Sequence, residues 1–297
     1  MTGAKAIVAH SLCPPAAVST IWRPCPAKTV SSTHARRAVA SRAVSALTLD
    51  ATARTETGPV RRHNEDAVFA GPRLVAVADG VGGAAAGEVA SRLAIDVVAH
   101  LAGSRLDRPL DAALADAVET ANDTIRFVAG CRPRMAGMGT TLTAVALDDD
   151  GVYVLANVGD SRTYLLRDGA LARLSRDDSL VQELIDSGEL SEAEARRHPQ
   201  RSLVLEALDG RAREPAPAAR VPARAGDRLL LCSDGLSDVV GDEAIAAALR
   251  EEPARDACAE RLVALALGAG ARDNVSVVVA DVVPRRDAAS GWAAPPG

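Results

Sequence analysis

Leu74-Val75-Ala76-Val77-Ala78-Asp79-Gly80 is an apolar run that ends on a carboxylate and a glycine. A short apolar run closed by a turn signal reads as a buried strand. An ionised carboxylate at the end of such a strand is costly unless donors or a cation meet it. The motif repeats elsewhere. Leu229–Cys232 leads into Ser233-Asp234-Gly235, Asn64-Glu65-Asp66 flanks the strand around Val68, and Arg272-Asp273-Asn274 comes just before Val275–Val279. Four aspartates at strand ends, with no clustered His or Cys, form an oxygen-only donor set. Such a set suits hard ions such as Mg²⁺ or Mn²⁺.

Around these frames the pattern predicts strands at Leu47–Ala53, Ala67–Ala70, Leu74–Ala78, Thr140–Leu147, Gly151–Val158, Arg162–Arg167, Asp227–Cys232 and Val275–Val283. Helices are predicted at Gly87–Ala102, with Val89, Leu93, Val97, Val98 and Leu101 on one face, and at Leu110–Val128, Asp242–Arg250 and Pro253–Leu267. Asp150-Gly151 and Asp168-Gly169 are tight-turn signals that imply antiparallel pairing. Helices come in pairs rather than alternating with strands, which points to the α+β class. Segment Asp177–Ser202 is too long for a turn and carries a helix-capping signal, Ser191-x-x-Glu194.

Composition narrows the function. The chain has 297 residues and is 48% hydrophobic but only 2% aromatic, so its core is built from Ala, Val and Leu. Residues 1–45 are rich in Ala, Ser, Arg and Pro and are expected to be a disordered basic extension or a start assigned too early. An organelle transit peptide is the alternative. The folded domain is expected over 46–284, with a short tail at 285–297. Residues 1–49 hold six basic residues and no acid; setting those against the total of −5 leaves the remainder at about −11. An acidic domain is a poor nucleic-acid binder. No stretch approaches the ~20 apolar residues of a membrane span. Five scattered cysteines, Cys13, Cys25, Cys131, Cys232 and Cys258, lack zinc or redox spacing and read as free thiols in a reducing cytoplasm.

Six frames in order carry a resemblance: Arg61-x-x-x-Glu65-Asp66, Asp79-Gly80-x-Gly82-Gly83, Gly137-x-Gly139-Thr140-Thr141, Gly159-Asp160-Ser161-Arg162, Ser233-Asp234-Gly235 and Asp273-Asn274. The chain resembles the metal-dependent protein phosphatases, the type 2C serine/threonine phosphatases, over about Leu47 to Val283, and most closely their bacterial branch. The resemblance implies a central antiparallel β-sandwich flanked by helices on both faces, with Asp177–Ser202 as a mobile flap beside the active site. It implies hydrolysis of phosphoserine and phosphothreonine in proteins by metal-activated water, in bacterial signalling opposite a serine/threonine kinase. A cytoplasmic monomer is the expectation.

In this reading two Mg²⁺ or Mn²⁺ ions are held by Asp79, which bridges them, by the Gly80 carbonyl, and by Asp234 and Asp273. Glu65 and Asp66 act through bound water. Arg61 binds the substrate phosphate, with Arg62 as its nearest competitor. Gly137–Thr141 has no following Lys and no helix pattern, so it is not a nucleotide-binding loop; its glycines let a strand pass close to the metal site. Two departures stand out. Val81 follows the Asp-Gly pair where many eukaryotic members have His. Arg134 stands where bacterial relatives place an Asp ligand of a third metal, so that third site is expected to be weak or absent. Two rival readings remain: a phosphoprotein-binding module of the same fold with little turnover, and a hydrolase of small phosphate esters.

Overall fold

The computed structural model describes residues 46–81, 86–104, 107–213 and 218–285. The expected extension at 1–45, Gly82 and Gly83, and nearly all of the expected tail lie outside them.

Eleven strands among the described residues form two antiparallel sheets. In the first, β1 (Leu47–Glu56) pairs with β11 (Val275–Pro284), then β10 (Arg228–Cys232), β7 (Arg162–Arg167) and β8 (Ala170–Arg173). In the second, β2 (Asp66–Ala70) pairs with β3 (Leu74–Val81), then β5 (Leu142–Leu147), β6 (Val152–Val158) and β9 (Ala219–Pro222), while β4 (Gly139–Thr140) extends the free end of β3. The strand period of two sorts the side chains into layers. Val75 and Val77 of β3, Val145 of β5, and Leu229 and Leu231 of β10 point between the sheets. Leu74, Ala76 and Ala78 point outward onto α1 (Gly87–Gly103) and α2 (Leu110–Cys131). On the other outer face Leu230, Cys232, Val277 and Val279 meet α6 (Asp242–Glu251) and α7 (Arg255–Gly268). The result is helices, sheet, sheet, helices.

Small residues set how closely the helices lie. The deeply buried stripe of α1 is Ala90, Ala94 and Val98 with Ile95, whereas the expected Val89, Leu93, Val97 and Leu101 are only partly buried at its margins. Alanine on α1 meets alanine on the sheet, so the helix packs low on it. At Asp168 and Gly169 the backbone is left-handed at both positions, φ 51° and 79°, which fits the two-residue turn between β7 and β8.

Segment Asp177–Ser202 folds into α3 (Leu180–Asp186) and α4 (Glu192–Ala195), with Ser191 and Glu194 forming the expected capping box. Its root is fastened. Asp177 receives a bidentate ion pair from Arg162 of β7, and Asp178 accepts from the Gly159 amide at 3.0 Å.

Candidate active site

The strand ends named above gather at one end of the sandwich. Asp66 and Asp79 lie directly opposite each other in the β2–β3 register. Like charges facing across an antiparallel pair repel. Asp66 opens β2 rather than following it, and Asp79 is only 3% exposed. Asp234, 4% exposed, starts a helical turn, α5 (Asp234–Ser237), at the end of β10. Asp273 sits just ahead of β11, and its Oδ2 accepts from Arg61 Nη2 at 2.7 Å.

The backbone of Asp79 is fixed by the Gly-Thr-Thr frame. Its amide donates to Thr141 Oγ1 at 3.0 Å, and its carbonyl accepts from the Thr141 amide at 2.8 Å and from Thr140 Oγ1 at 3.0 Å. Thr141 Oγ1 in turn lies 2.8 Å from Ser161 Oγ, which ties in the Gly-Asp-Ser-Arg frame. Gly80 allows the next close approach. A Cβ there would meet the Gly87 carbonyl at 2.5 Å and the Glu65 carbonyl at 2.6 Å. Close backbone packing therefore requires glycine at Gly80, while Gly139 pairs with Val81 and a Cβ on Gly137 would meet open space.

Glu65 lies over the start of α1, where a Cβ on Gly87 would meet its Oε2 at 2.8 Å. Burial raises its pKa, nearby Glu88 raises it further, and Arg61 only partly offsets them. Burial works against the charge of Arg61, yet Asp273, Glu65 and Asp79 together raise its pKa further above the arginine range. One arginine therefore senses three of the acidic groups at once. Arg62 is exposed and has no such setting. Arg134 lies exposed in a 3₁₀ turn, Pro133–Met135, and makes no ion pair among the described residues.

The donor set fits small hard cations. It is all oxygen, its carboxylates face carboxylates, and one of its residues, Gly80, has no side chain to cover its backbone. Among the described residues no three His, Cys, Asp or Glu side chains already converge on one point. Mg²⁺ ordinarily takes only one or two carboxylates and completes its shell with other oxygens and water.

The site also contains residues to which sequence reading gave no role. Ser233 Oγ donates to Asp66 Oδ2 at 2.9 Å and accepts from the Ser276 amide at 3.0 Å, linking β2, β10 and β11. Asn274 spans the β1–β2 connection. Both lie inside the quoted frames, and that adjacency was the available signal. Cys232, beside the site in sequence, is fully buried and its thiol is pushed up to about 12 by desolvation, so it is an inert core residue.

Comparison with known proteins agrees with this geometry. A family model described as "Protein phosphatase 2C" matches residues 61–267. Serine/threonine protein phosphatase PstP of Mycobacterium tuberculosis is 51% identical over 237 residues, 80% of this chain and 46% of PstP. The chain thus spans about half the length of that relative. Serine/threonine phosphatase stp of Listeria monocytogenes is 35% identical over 77% of this chain and 94% of its own. A crystal structure of the PstP catalytic domain in complex with two manganese ions superposes with a TM-score of 0.74 at 48% identity, covering 80% of this chain and 99% of that one. The chain belongs to the protein phosphatase 2C family, in its bacterial branch.

Proposed function

We propose that this chain removes phosphate from phosphoserine and phosphothreonine in proteins, using two Mg²⁺ or Mn²⁺ ions. The observation that carries the proposal is that Asp66, Asp79, Asp234 and Asp273 stand at strand ends on one side of the sandwich, with Arg61 paired to Asp273 beside them. The relatives add support, since PstP and stp are named serine/threonine phosphatases and a PstP structure holds two manganese ions.

Each residue then has a task. Asp79, the Gly80 carbonyl, Asp234 and Asp273 hold the cations. When bound, such a pair neutralises the phosphate dianion and supplies a hydroxide equivalent at neutral pH. Asp66, oriented by Ser233, and Glu65 accept hydrogen bonds from water in the cleft. Arg61 offers a planar fork to two phosphate oxygens. Val81 gives the strand no acid beyond Gly80, so the proton for the departing seryl or threonyl oxygen comes from water. Arg134 adds positive rather than negative charge, which favours two cations without a tight third. The cellular setting is a cytoplasmic monomer opposing a serine/threonine kinase, and no helix among the described residues is long and apolar enough to cross a membrane.

The test is an Mn²⁺-dependent assay on a phosphothreonine peptide and on a small aryl phosphate. Higher kcat/KM on the peptide, abolished by chelation, is the expected outcome. Binding of the peptide without turnover would establish the binding-module reading, and preference for the aryl ester would establish a small-molecule hydrolase.

A further inference from the structure

The connection between β1 and β2, residues 57–65, carries Arg61 but has no helix or strand of its own. One side chain makes three hydrogen bonds to its backbone. Asn274 Nδ2 donates to the Thr57 carbonyl at 2.9 Å and to the His63 carbonyl at 3.0 Å, while its Oδ1 accepts from the Glu65 amide at 2.9 Å. A carboxamide offers two donors and an acceptor, and here all three are used. Thr57 and His63 lie on either side of Arg61, so the brace spans the arginine. Asn274 is 4% exposed, and its backbone is hemmed in: a Cβ on Gly235, next to Asp234, would collide with the Asn274 carbonyl oxygen. The same connection is pressed against Asp273 at a second point, where a Cβ on Gly58 would meet the Asp273 carbonyl at 2.5 Å.

We infer that Asn274 is a positioning residue for phosphate recognition, setting where Arg61 stands relative to the Asp234 and Asp273 carboxylates. No water-exposed role is left for the side chain, and its neighbour Asp273 is the ion-pair partner of Arg61. Adjacent residues of one dipeptide thus hold the two ends of the relation: Asn274 fixes the arch, and Asp273 receives the guanidinium that the arch carries. The inference rests on the reading of Arg61 as the phosphate-binding group.

A double-mutant cycle tests it. Asn274→Ala is expected to raise the KM for a phosphothreonine peptide roughly tenfold or more, since small misplacements of a binding group are costly. The Kd for inorganic phosphate, read by calorimetry on the Mn²⁺-loaded protein, should rise in step, while Mn²⁺ affinity stays near that of the wild type. In an Arg61→Ala background the Asn274→Ala change should add nothing to either quantity, because coupled residues are non-additive. Gly58→Ala pushes the arch away from the Asp273 carbonyl while leaving the Asn274 side chain in place, and should show the same coupling to Arg61 if Asn274→Ala proves too unstable to assay. Equal losses in both backgrounds, or unchanged phosphate affinity in Asn274→Ala and Gly58→Ala, would overturn the inference. Unchanged KM and phosphate affinity in Arg61→Ala alone would remove the clamp reading and this inference with it.

Discussion

Strands β10 and β11 treat their two ends in opposite ways. At the end away from the site, Asp227 precedes β10 and is closed on every side. It accepts from Tyr153 Oη at 2.8 Å, from Arg167 Nε at 2.7 Å and Nη2 at 2.6 Å, and from the Arg224 amide at 2.8 Å. Asp281 of β11 is likewise held by Arg228 of β10, its partner in register. At the other end the same two strands deliver Asp234 and Asp273 to a rim where Asp66 faces Asp79 and Glu88 crowds Glu65. One end spends arginine and tyrosine to make its carboxylates comfortable. The other gathers four aspartates and Glu65, and there Arg61 pairs with Asp273. Burial pushes the Asp227 pKa up, but its partners more than offset that and hold it below the usual carboxylate range, whereas the Glu65 pKa is raised. Acid at the first end is structural; acid at the second is what the proposed function assigns to cations.

The comparison breaks most sharply by deletion. Asp79→Ala or Asp234→Ala should lower kcat by at least ~10³-fold, about 4 kcal/mol, the scale of the several kcal/mol that metal-ion catalysis supplies. Thermal stability without metal should hold or rise as repulsion falls; a clear drop in Tm would place these aspartates with Asp227 instead. Asp227→Ala should do the reverse. It strips the partner from a half-buried arginine and a buried tyrosine, for a loss of about 2 kcal/mol in denaturant unfolding with kcat unchanged. Because its folded pKa is depressed, the stabilisation by Asp227 is present above the unfolded value near ~3.9. The gap between wild type and variant should therefore stay constant down to that pH and close as pH falls through the folded pKa. A gap that closes already near neutral pH would contradict the assignment.

Cation binding sharpens the same contrast. Mn²⁺ at a hundred times its Kd should stabilise the folded state by about 2.7 kcal/mol by mass action, reversibly on chelation. Asp234→Ala should blunt that gain and Asp227→Ala should keep it. The smallest effect concerns Arg134. Activity should saturate with Mn²⁺ in one phase, and Arg134→Asp, which adds acid to the acid-rich end, should introduce a second, weaker step. Two phases in the unaltered protein would refute the single-phase expectation.

Much of this was legible because polar residues terminate apolar runs at the strand ends, so spacing alone located Asp79, Asp234 and Asp273. Helices were legible from periodicity, although alanine at Ala90 and Ala94 outranks the bulkier residues that define the apparent face of α1. Two strands were not legible. Ala170–Arg173 and Ala219–Pro222 are short edge strands of mostly exposed residues, and an edge strand has little reason to be apolar. The run Thr140–Leu147 reads as one strand but breaks at Thr141, whose amide and hydroxyl both turn to Asp79. The helical start Asp234–Ser237 was hidden because Asp-Gly ordinarily marks a turn. Arg61 was legible only through its frame, and its ion pair with Asp273 spans too much sequence for any local pattern to report.

Pairing of β1 with β11 also orders events in time. Leu47 opens a strand whose partner ends at Pro284, so the first described strand waits for the last. A ribosome releases the chain from its N-terminus, and contacts this distant in sequence form late. The sheet of β2, β3, β5, β6 and β9 has all its strands by Pro222 and brings Asp66 opposite Asp79 early. Asp273 and Asn274 emerge only with the final strand. A nascent chain therefore brings Asp66 opposite Asp79 well before Asp273 exists, and the two sheets close only when β11 has been made.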